Sequence, residues 1–142
     1  MEAAEEHNVE VVRRYFDKCK NGELDDSPKT LADDVVHYFL PESYDTIRNS
    51  EHLARFWRSF KRRLDPTWRI DEIIASGDVV VSEWSCRWRP PGSTQWVMSR
   101  GTEWYLIRDG VISEVRAYFN DGIADSEIAD FPYLERGYLT GS

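Results

Sequence analysis

The sequence is poor in cysteine and has no long hydrophobic run. Only two of its 142 residues are cysteines, Cys19 and Cys86, and neither belongs to a CxxC pair. A disulfide framework is therefore excluded, and we expect both thiols to be reduced. No apolar stretch approaches the roughly 20 residues of a membrane-spanning helix. The N-terminus is acidic and polar, without an export signal, so we expect a cytoplasmic protein that binds no membrane.

Basic residues are also in short supply. Eighteen Lys and Arg residues stand against 26 Asp and Glu residues, which gives a formal net charge of −8. Nucleic acids and anionic membrane surfaces select basic proteins, so we expect neither as a partner. The three histidines are scattered and lack acidic residues at metal-ligand spacing. We therefore expect no metal, and the function considered below requires no nucleotide or other cofactor.

Aromatic residues, by contrast, are abundant. They make up 13% of the chain and include six tryptophans. Such a content suits a dense core, the lining of a pocket for a flat ligand, or a subunit interface, and composition alone leaves these three open. The length fits a single domain over residues 1–142, in which residues 122–142 form a C-terminal tail that either covers the sheet or hangs free.

The hydrophobic period changes along the chain. Apolar residues three and four apart predict helices in the first half, whereas from Thr67 onward the period is 2, as in strands. Helices followed by an antiparallel meander indicate an α+β domain, with helices on one face of a curved sheet. The predicted elements are helices at 4–20 and 51–64, a short helical turn at 28–32, and strands near 35–41, 67–75, 79–89, 95–107 and 111–120.

The last two strands are predicted to form a hairpin with its turn at 109–110, an Asp-Gly pair that strongly favours a two-residue loop. Simple alternation then places Glu103 opposite Arg116 on the outer face. If even-numbered residues of the strand near 79–89 lie opposite even-numbered residues of the strand near 95–107, their side chains share the inner face. A slip of one residue would instead pair Glu83 with Arg100. The side chains predicted to face the helices are Ser82, Trp84, Cys86, Trp88, Trp96, Met98, Arg100, Thr102, Trp104, Leu106, Ser113, Val115, Ala117 and Phe119.

Three stretches resemble the nuclear transport factor 2-like superfamily, in particular its SnoaL-like polyketide cyclase and ketosteroid isomerase branches. They are VVRRYFDKCKNGELD at 11–25, LADDVVHYF at 31–39 and LIRDGVISEVRAYFND at 106–121. The resemblance implies a cone-like α+β fold, in which a curved antiparallel sheet wraps around N-terminal helices and a pocket opens inside the cone. It also implies a homodimer through the outer sheet face.

The same resemblance implies that two catalytic sets of the superfamily are incomplete here. Tyr15 matches the tyrosine with which ketosteroid isomerases donate a hydrogen bond to an enolate oxygen. Their base, however, falls near Phe39 or Leu40, and neither can take a proton. Their second donor, a protonated carboxylic acid, falls near Thr102 or Glu103, so we do not expect steroid isomerisation by that mechanism. The Asp-Arg-Asp set of limonene epoxide hydrolase-like members falls on Cys86, Trp84 and Ala117.

Three further residues are candidates for chemistry, each with a structural alternative. SnoaL-like cyclases keep an acid/base aspartate at the end of the last long strand, where Asp121 is either that group or an ordinary polar strand exit. His37, on the face assigned to the pocket, either relays protons or is a core histidine. Arg100 is either a catalytic group that stabilises an enolate or a structural residue, which forms a buried pair with Glu83 or reaches solvent.

The sequence thus predicts a protein that binds a hydrophobic small molecule. The favoured function is a cofactor-independent cyclase, isomerase or dehydratase, which acts by acid/base chemistry on a hydrophobic carbonyl or polyketide-like substrate. The alternative is a non-catalytic ligand-binding or dimeric regulatory module. The predicted catalytic residues are His37, Asp121, Tyr15 and Arg100. The predicted substrate-binding residues are Trp57, Trp84, Cys86, Trp88, Thr102, Trp104, Val115, Ala117 and Phe119.

Overall fold

Two helices pack on one face of a six-stranded sheet in a computed structural model, which describes residues 1–40, 44–120 and 127–141. The elements are α1 (Ala3–Asn21), β1 (Leu31–Leu40), β2 (Ile47–Arg48), α2 (Ser50–Leu64), β3 (Thr67–Ser76), β4 (Val79–Trp88), β5 (Val97–Arg108) and β6 (Val111–Phe119). The strand order is β2-β1-β6-β5-β4-β3. All neighbouring strands are antiparallel except β1 and β6, which pair in parallel. The predicted α+β class, a curved and mostly antiparallel sheet around N-terminal helices, is confirmed.

Each helix begins and ends at a residue with recognisable capping chemistry. The N-terminus of α1 carries a capping box between Glu2 and Glu5, and its C-terminus ends at Gly22 in the left-handed conformation, with φ 67°. The Asn49 side chain accepts a hydrogen bond from the His52 backbone N–H and starts α2. No helix in the described part of the chain is long and apolar enough to cross a membrane.

The chain between α1 and β1 corrects one prediction. The expected helical turn at 28–32 does not form, and Leu31 already begins β1. The Asp26 carboxylate accepts hydrogen bonds from the backbone N–H groups of Thr30 and Leu31, at 2.9 and 3.0 Å, and from Lys18 Nζ at 3.0 Å. These bonds direct the chain into the strand, because they satisfy the backbone donors that a helical turn would have used.

The face that points to the helices agrees with the prediction on β4 and, from Val115 onward, on β6, and differs from it on β5. Trp84 of β4 faces the helices as predicted, but it lies opposite Gly101, and Ser85 lies opposite Arg100. The inner set on β5 is therefore Ser99, Gly101, Glu103, Tyr105 and Ile107. Neither the predicted even register nor the alternative pairing of Glu83 with Arg100 occurs.

A β-bulge near the last hairpin explains the error. Ile107 pairs with Ile112, but Leu106 pairs with Glu114, so the β6 strand contains one residue more than its partner at this point. The extra residue reverses the alternation that a regular hairpin would impose. Glu103 is consequently buried opposite Ala117.

Five inner-face assignments on β5 and one outer-face pair are therefore wrong. The outer face instead carries Met98, Arg100, Thr102, Trp104 and Leu106, and Trp104 is 39% exposed. The predicted outer pair of Glu103 and Arg116 does not exist. Arg116 lies opposite Trp104 and forms an ion pair with Glu114 on its own strand, at 2.7 Å.

Residues 127–141 lie over part of the outer sheet face. The Tyr133 ring covers the Arg100 guanidinium, and the Tyr138 hydroxyl donates a hydrogen bond to Glu83. Of the two predicted positions for the C-terminal tail, this part therefore adopts the one over the sheet. An aromatic strip of the outer face stays exposed beside it, formed by Tyr38, Leu40, Trp104 and Tyr118.

Candidate functional site

A small cavity of about 50 Å³ lies between α2 and the inner face of the sheet. Aromatic rings form most of its wall and contact one another; the centroids of Trp57 and Trp68, for example, are 4.8 Å apart. The volume suits one or two water molecules rather than a whole ligand. We call this space the aromatic cavity. It is lined by Phe39, Tyr44, Phe56, Trp57, Phe60, Trp68, Trp84, Cys86, Ser99, Glu103, Ala117 and Phe119.

Glu103 is the one carboxyl group in the described lining of the aromatic cavity. Its side chain is buried, and its carboxyl group accepts a hydrogen bond on Oε2 from the Tyr105 hydroxyl. Burial raises the pKa of Glu103 from 4.5 to about 7, although the bond from Tyr105 acts in the opposite direction. A carboxyl group with this pKa is present in both protonation states at neutral pH, which is the condition for efficient acid/base chemistry there.

Two buried tyrosines, Tyr105 and Tyr15, extend from Glu103 into the core. The ring of Tyr15 on α1 meets that of Tyr105 edge to face, with 6.5 Å between centroids. The Tyr15 hydroxyl accepts a hydrogen bond of 2.8 Å from Nε1 of Trp57. Burial raises the pKa of both phenols well above 10, so both are neutral hydrogen-bonding groups. Tyr15 does not line the aromatic cavity itself, and its predicted catalytic role remains a prediction.

His37 faces the helices from β1 but lies within the core. Its ring stacks on Phe39 with 4.2 Å between centroids, and neither ring nitrogen has a well-formed hydrogen bond within the described residues. Burial lowers the pKa of His37 to about 3. The imidazole is therefore neutral at physiological pH and too weak a base to take a proton readily. Its predicted role as a proton relay gains no support from this environment.

Arg100 cannot reach the aromatic cavity, because its side chain points to the opposite face of the sheet. Its guanidinium donates hydrogen bonds to Ser85 Oγ at 2.6 Å and to Glu127 Oε1 at 2.9 Å. The predicted contact of Arg100 with an enolate inside the cone is therefore wrong. The same reversal removes Thr102 and Trp104 from the predicted substrate-binding set.

The remaining predicted substrate-binding residues face inward. Trp88 and Val115 pack in or against the core without lining the aromatic cavity, and Trp88 donates its indole N–H to Ser99 Oγ at 2.9 Å. Asp121, the predicted acid/base aspartate, lies outside the described residues. The predicted residues that do line the cavity are Trp57, Trp84, Cys86, Ala117 and Phe119.

Both cysteines are buried, unbridged thiols. Burial raises the pKa of Cys86 to about 12, so a neutral thiol faces the aromatic cavity. Within residues 1–40, 44–120 and 127–141, no three His, Cys, Asp or Glu side chains are grouped as metal ligands would be.

Comparison with known proteins identifies the family. The model of the SnoaL-like domain family matches residues 12–115, which is most of the chain. The chain belongs to the SnoaL-like domain family. No curated protein matches this SnoaL-like domain in sequence.

Solved structures share the architecture of this SnoaL-like domain. A candidate SnoaL-like polyketide cyclase from Jannaschia sp. CCS1 is 20% identical, with a TM-score of 0.72 over 84% of this chain and 90% of that one. A protein of unknown function with a cystatin-like fold from Methylobium petroleophilum PM1 is 26% identical, with a TM-score of 0.71 over 97% and 94%. An LEH-like epoxide hydrolase from M. tuberculosis is 22% identical, with a TM-score of 0.69 over 82% and 84%. The predicted nuclear transport factor 2-like fold is thereby confirmed.

Glu103 of this SnoaL-like domain faces inward, whereas simple alternation along the last hairpin predicts it on the outer face. Gly101 carried the signal that could have found it. A Cβ at Gly101 would lie 2.5 Å from the Phe119 Cβ and 2.8 Å from Trp84 Cζ2. A glycine in a strand interior often marks such a close approach, and an inward Gly101 requires an inward Glu103. The inward-facing aromatic residues Phe39, Phe56, Phe60 and Trp68 were likewise not assigned to the site.

Proposed function

We propose that this chain binds a flat, apolar carbonyl compound in the aromatic cavity and activates the carbonyl group through the protonated carboxyl group of Glu103. The observation that carries the proposal is a single buried carboxyl group in a mostly aromatic lining, where burial raises the pKa of Glu103 to about 7. Because Tyr105 occupies Oε2, the other oxygen, Oε1, is the one that carries the proton toward a ligand. The activity is thus of the cofactor-independent isomerase, cyclase or dehydratase type.

A hydrogen bond from Glu103 to the carbonyl oxygen makes the neighbouring C–H bonds more acidic. The bond strengthens as negative charge develops on that oxygen, so the enolate is stabilised more than the ketone. The apolar wall increases this effect, because electrostatic interactions are stronger where water is excluded. Asp121, two positions beyond Phe119 in the sequence, remains our candidate for the base that accepts the proton from carbon.

Ligand entry requires the aromatic cavity to widen. Its 50 Å³ are well below the roughly 300 Å³ of the smaller ligand sites. Several rings in its wall are only partly buried, among them Tyr44, Phe56 and Phe119, and a side chain with one face in solvent can change rotamer at low cost. We therefore propose that these rings move outward when the ligand enters.

One observation favours a second candidate function, binding without turnover. No second carboxyl group and no histidine belongs to the described lining of the aromatic cavity. A protein that only holds its ligand needs a hydrogen-bond donor but no base, and Glu103 alone meets that requirement.

The test uses 2-tetralone, a flat bicyclic ketone, as the probe. Binding is measured by calorimetry, and exchange of its α-protons in D₂O is followed by proton NMR between pH 5 and 9. We expect the protein to accelerate exchange, with a rate that declines above about pH 7 as Glu103 loses its proton. Glu103→Gln should lower the exchange rate by at least about 100-fold, the usual contribution of a positioned acid or base.

The matched control is Glu83→Gln, which changes a glutamate on the outer face of the neighbouring strand. It should leave the exchange rate unchanged. Asp121→Asn should abolish exchange while tetralone still binds. Binding of tetralone without accelerated exchange would favour the binding module, and a Glu103→Gln variant that exchanges as fast as the wild type would overturn the proposal.

We also propose a homodimer through the exposed aromatic strip of the outer sheet face. Tyr38 lies beside Arg116, and Arg116 lies beside Trp104, so two exposed rings flank the Arg116 side chain in a row across three strands. Such a patch is typical of an interface. Sedimentation should give about twice the 16.7 kDa of one chain, and Trp104→Glu should restore 16.7 kDa. A wild-type protein that sediments as a monomer would contradict this proposal.

A further inference from the structure

A second, larger cavity lies on the other side of Trp57. This space, which we call the helix cleft, measures about 340 Å³ and is bounded by the end of α1, the chain that leads to β1, and the start of α2. Its volume is typical of small-molecule sites. Trp57 lines both cavities and is hydrogen-bonded to Tyr15, which lines the helix cleft. This pair of residues separates the helix cleft from the aromatic cavity.

The chain that borders the helix cleft is held in place before any ligand arrives. Asp26 accepts hydrogen bonds from Lys18 Nζ, from the Thr30 hydroxyl at 2.7 Å and from two backbone N–H groups. A preformed site loses less conformational freedom when it binds, which leaves more of the contact energy for affinity.

The interior of the helix cleft is apolar. Leu31 and Ala54 contribute aliphatic surface, and Trp57 contributes its ring. Leu31 and Trp57 are each more than 90% buried and still line the cleft, so they form its deep end, where a ligand would meet hydrocarbon and aromatic surface.

The rim of the helix cleft carries an excess of negative charge. Both basic residues in its lining are already neutralised, Lys18 by Asp26 at 3.0 Å and Arg55 by Glu51 at 2.7 Å. Glu23 and Asp25 complete the charged lining, and no further cation in that lining balances them. An anionic ligand would meet repulsion here, whereas a cation would meet two carboxylates.

We propose that the helix cleft binds an amphipathic organic cation. Its ammonium group lies at the rim near Glu23 and Asp25, and its hydrocarbon part packs against Trp57. This site is separate from the carbonyl site at Glu103 and does not depend on it.

The experiment titrates the full chain at pH 7 with three probes of equal chain length, hexylammonium, 1-hexanol and hexanoate, and follows backbone amide signals by NMR. We expect hexylammonium to shift the amides of Leu31 and Ala54 and to bind roughly fivefold more tightly than 1-hexanol, a difference appropriate to partly solvated charge pairs. Hexanoate should not bind. Equal affinities for the three probes, or shifts centred on Ala117 and Phe119 instead, would overturn the proposal.

A double variant isolates the charge at the rim. Glu23→Gln with Asp25→Asn should lower the affinity for hexylammonium to that of 1-hexanol and leave 1-hexanol unaffected. The matched control is Glu72→Gln with Glu135→Gln, which changes the net charge equally at exposed sites away from the cleft. An equal loss of affinity in both double variants would show that only net charge matters, and would overturn the assignment to this cleft.

Discussion

The Tyr133 ring lies over the guanidinium group of Arg100, with 4.0 Å between its centroid and the arginine Cζ. The same guanidinium group bonds to Ser85 and Glu127, and the Ser85 hydroxyl donates in turn to Asp71 at 2.5 Å. Arg100 therefore joins the sheet to the C-terminal segment, on the face opposite to the aromatic cavity. Its role is structural, and its removal should affect stability and tail attachment.

Arg100→Gln should lower the free energy of unfolding by about 1–3 kcal/mol, because it removes two charge-assisted hydrogen bonds and the contact with Tyr133. Urea titration measures the loss, and limited proteolysis should cleave the segment 127–141 faster. The affinity for 2-tetralone should not change. Arg136→Gln, which removes an exposed arginine over Phe131, is the control and should be nearly neutral. A loss of tetralone binding in Arg100→Gln would contradict its position on the outer face.

Glu103→Gln should make stability less dependent on pH. The pKa of Glu103 is raised in the folded state from 4.5 to about 7, so the folded state holds its proton more tightly than the unfolded state does. The wild type therefore loses stability relative to the variant as pH rises from 4.5 to 7. Above pH 7 the difference should level off at about 3 kcal/mol. Urea titrations at pH 5, 6, 7 and 8 measure it, and a difference that does not change with pH would refute the burial of an ionisable carboxyl group here.

Gly101→Ala should be strongly destabilising. The new methyl group would meet the Tyr118 carbonyl oxygen at 2.6 Å and Trp84 Cζ2 at 2.8 Å, and neither a backbone atom nor a buried indole can move away easily. Overpacking of this kind costs about 1–3 kcal/mol. Thermal unfolding measures the change. Gly141→Ala is the control, because its nearest neighbour is the flexible Met98 side chain, and a similar loss at both sites would argue against the close approach at Gly101.

Asp26→Asn should destabilise the entry to β1. Burial by itself raises the pKa of Asp26, but hydrogen bonds from Thr30, Lys18 and Leu31 outweigh it, so the pKa is lowered from 3.8. The stabilisation is therefore present above pH 3.8 and disappears as pH falls through the lowered pKa. We expect a loss of about 1–3 kcal/mol at pH 7 and a smaller one at acidic pH. Asp25→Asn, at the exposed neighbouring carboxylate, should be neutral, and equal effects of the two variants would count against these bonds.

The sequence was sufficient for the elements that local chemistry determines. The apolar period of α2 and the Asp-Gly turn of the last hairpin act over a few residues, and both predictions were close to the observed bounds. The inward face of β4 was also predictable, because Trp84 and Cys86 alternate with Glu83 and Arg87.

The site could not be predicted in the same way, because the sequence of β5 allows either of its two faces to point toward the helices. Trp104 and Leu106 favour one face, whereas Tyr105 and Ile107 favour the other. The choice is made by a bulge in β6 and by the close approach of Trp84 to Gly101, which are tertiary events. A one-residue shift of this kind exchanges every side chain between the two faces, so it replaced Arg100 with Glu103 as the charged group beside the aromatic rings.

The parallel pairing of β1 with β6 has a consequence for how the molecule is made. Val36 lies beside Glu114, so the first long strand has its central neighbour in the last one. During synthesis β3, β4 and β5 can form a meander as they leave the ribosome, but β1, which until then can pair only with the two-residue β2, must wait for its long neighbour until β6 has emerged. β1 thus lacks its longer hydrogen-bonding partner for most of translation, and only β6 joins the two halves of the sheet.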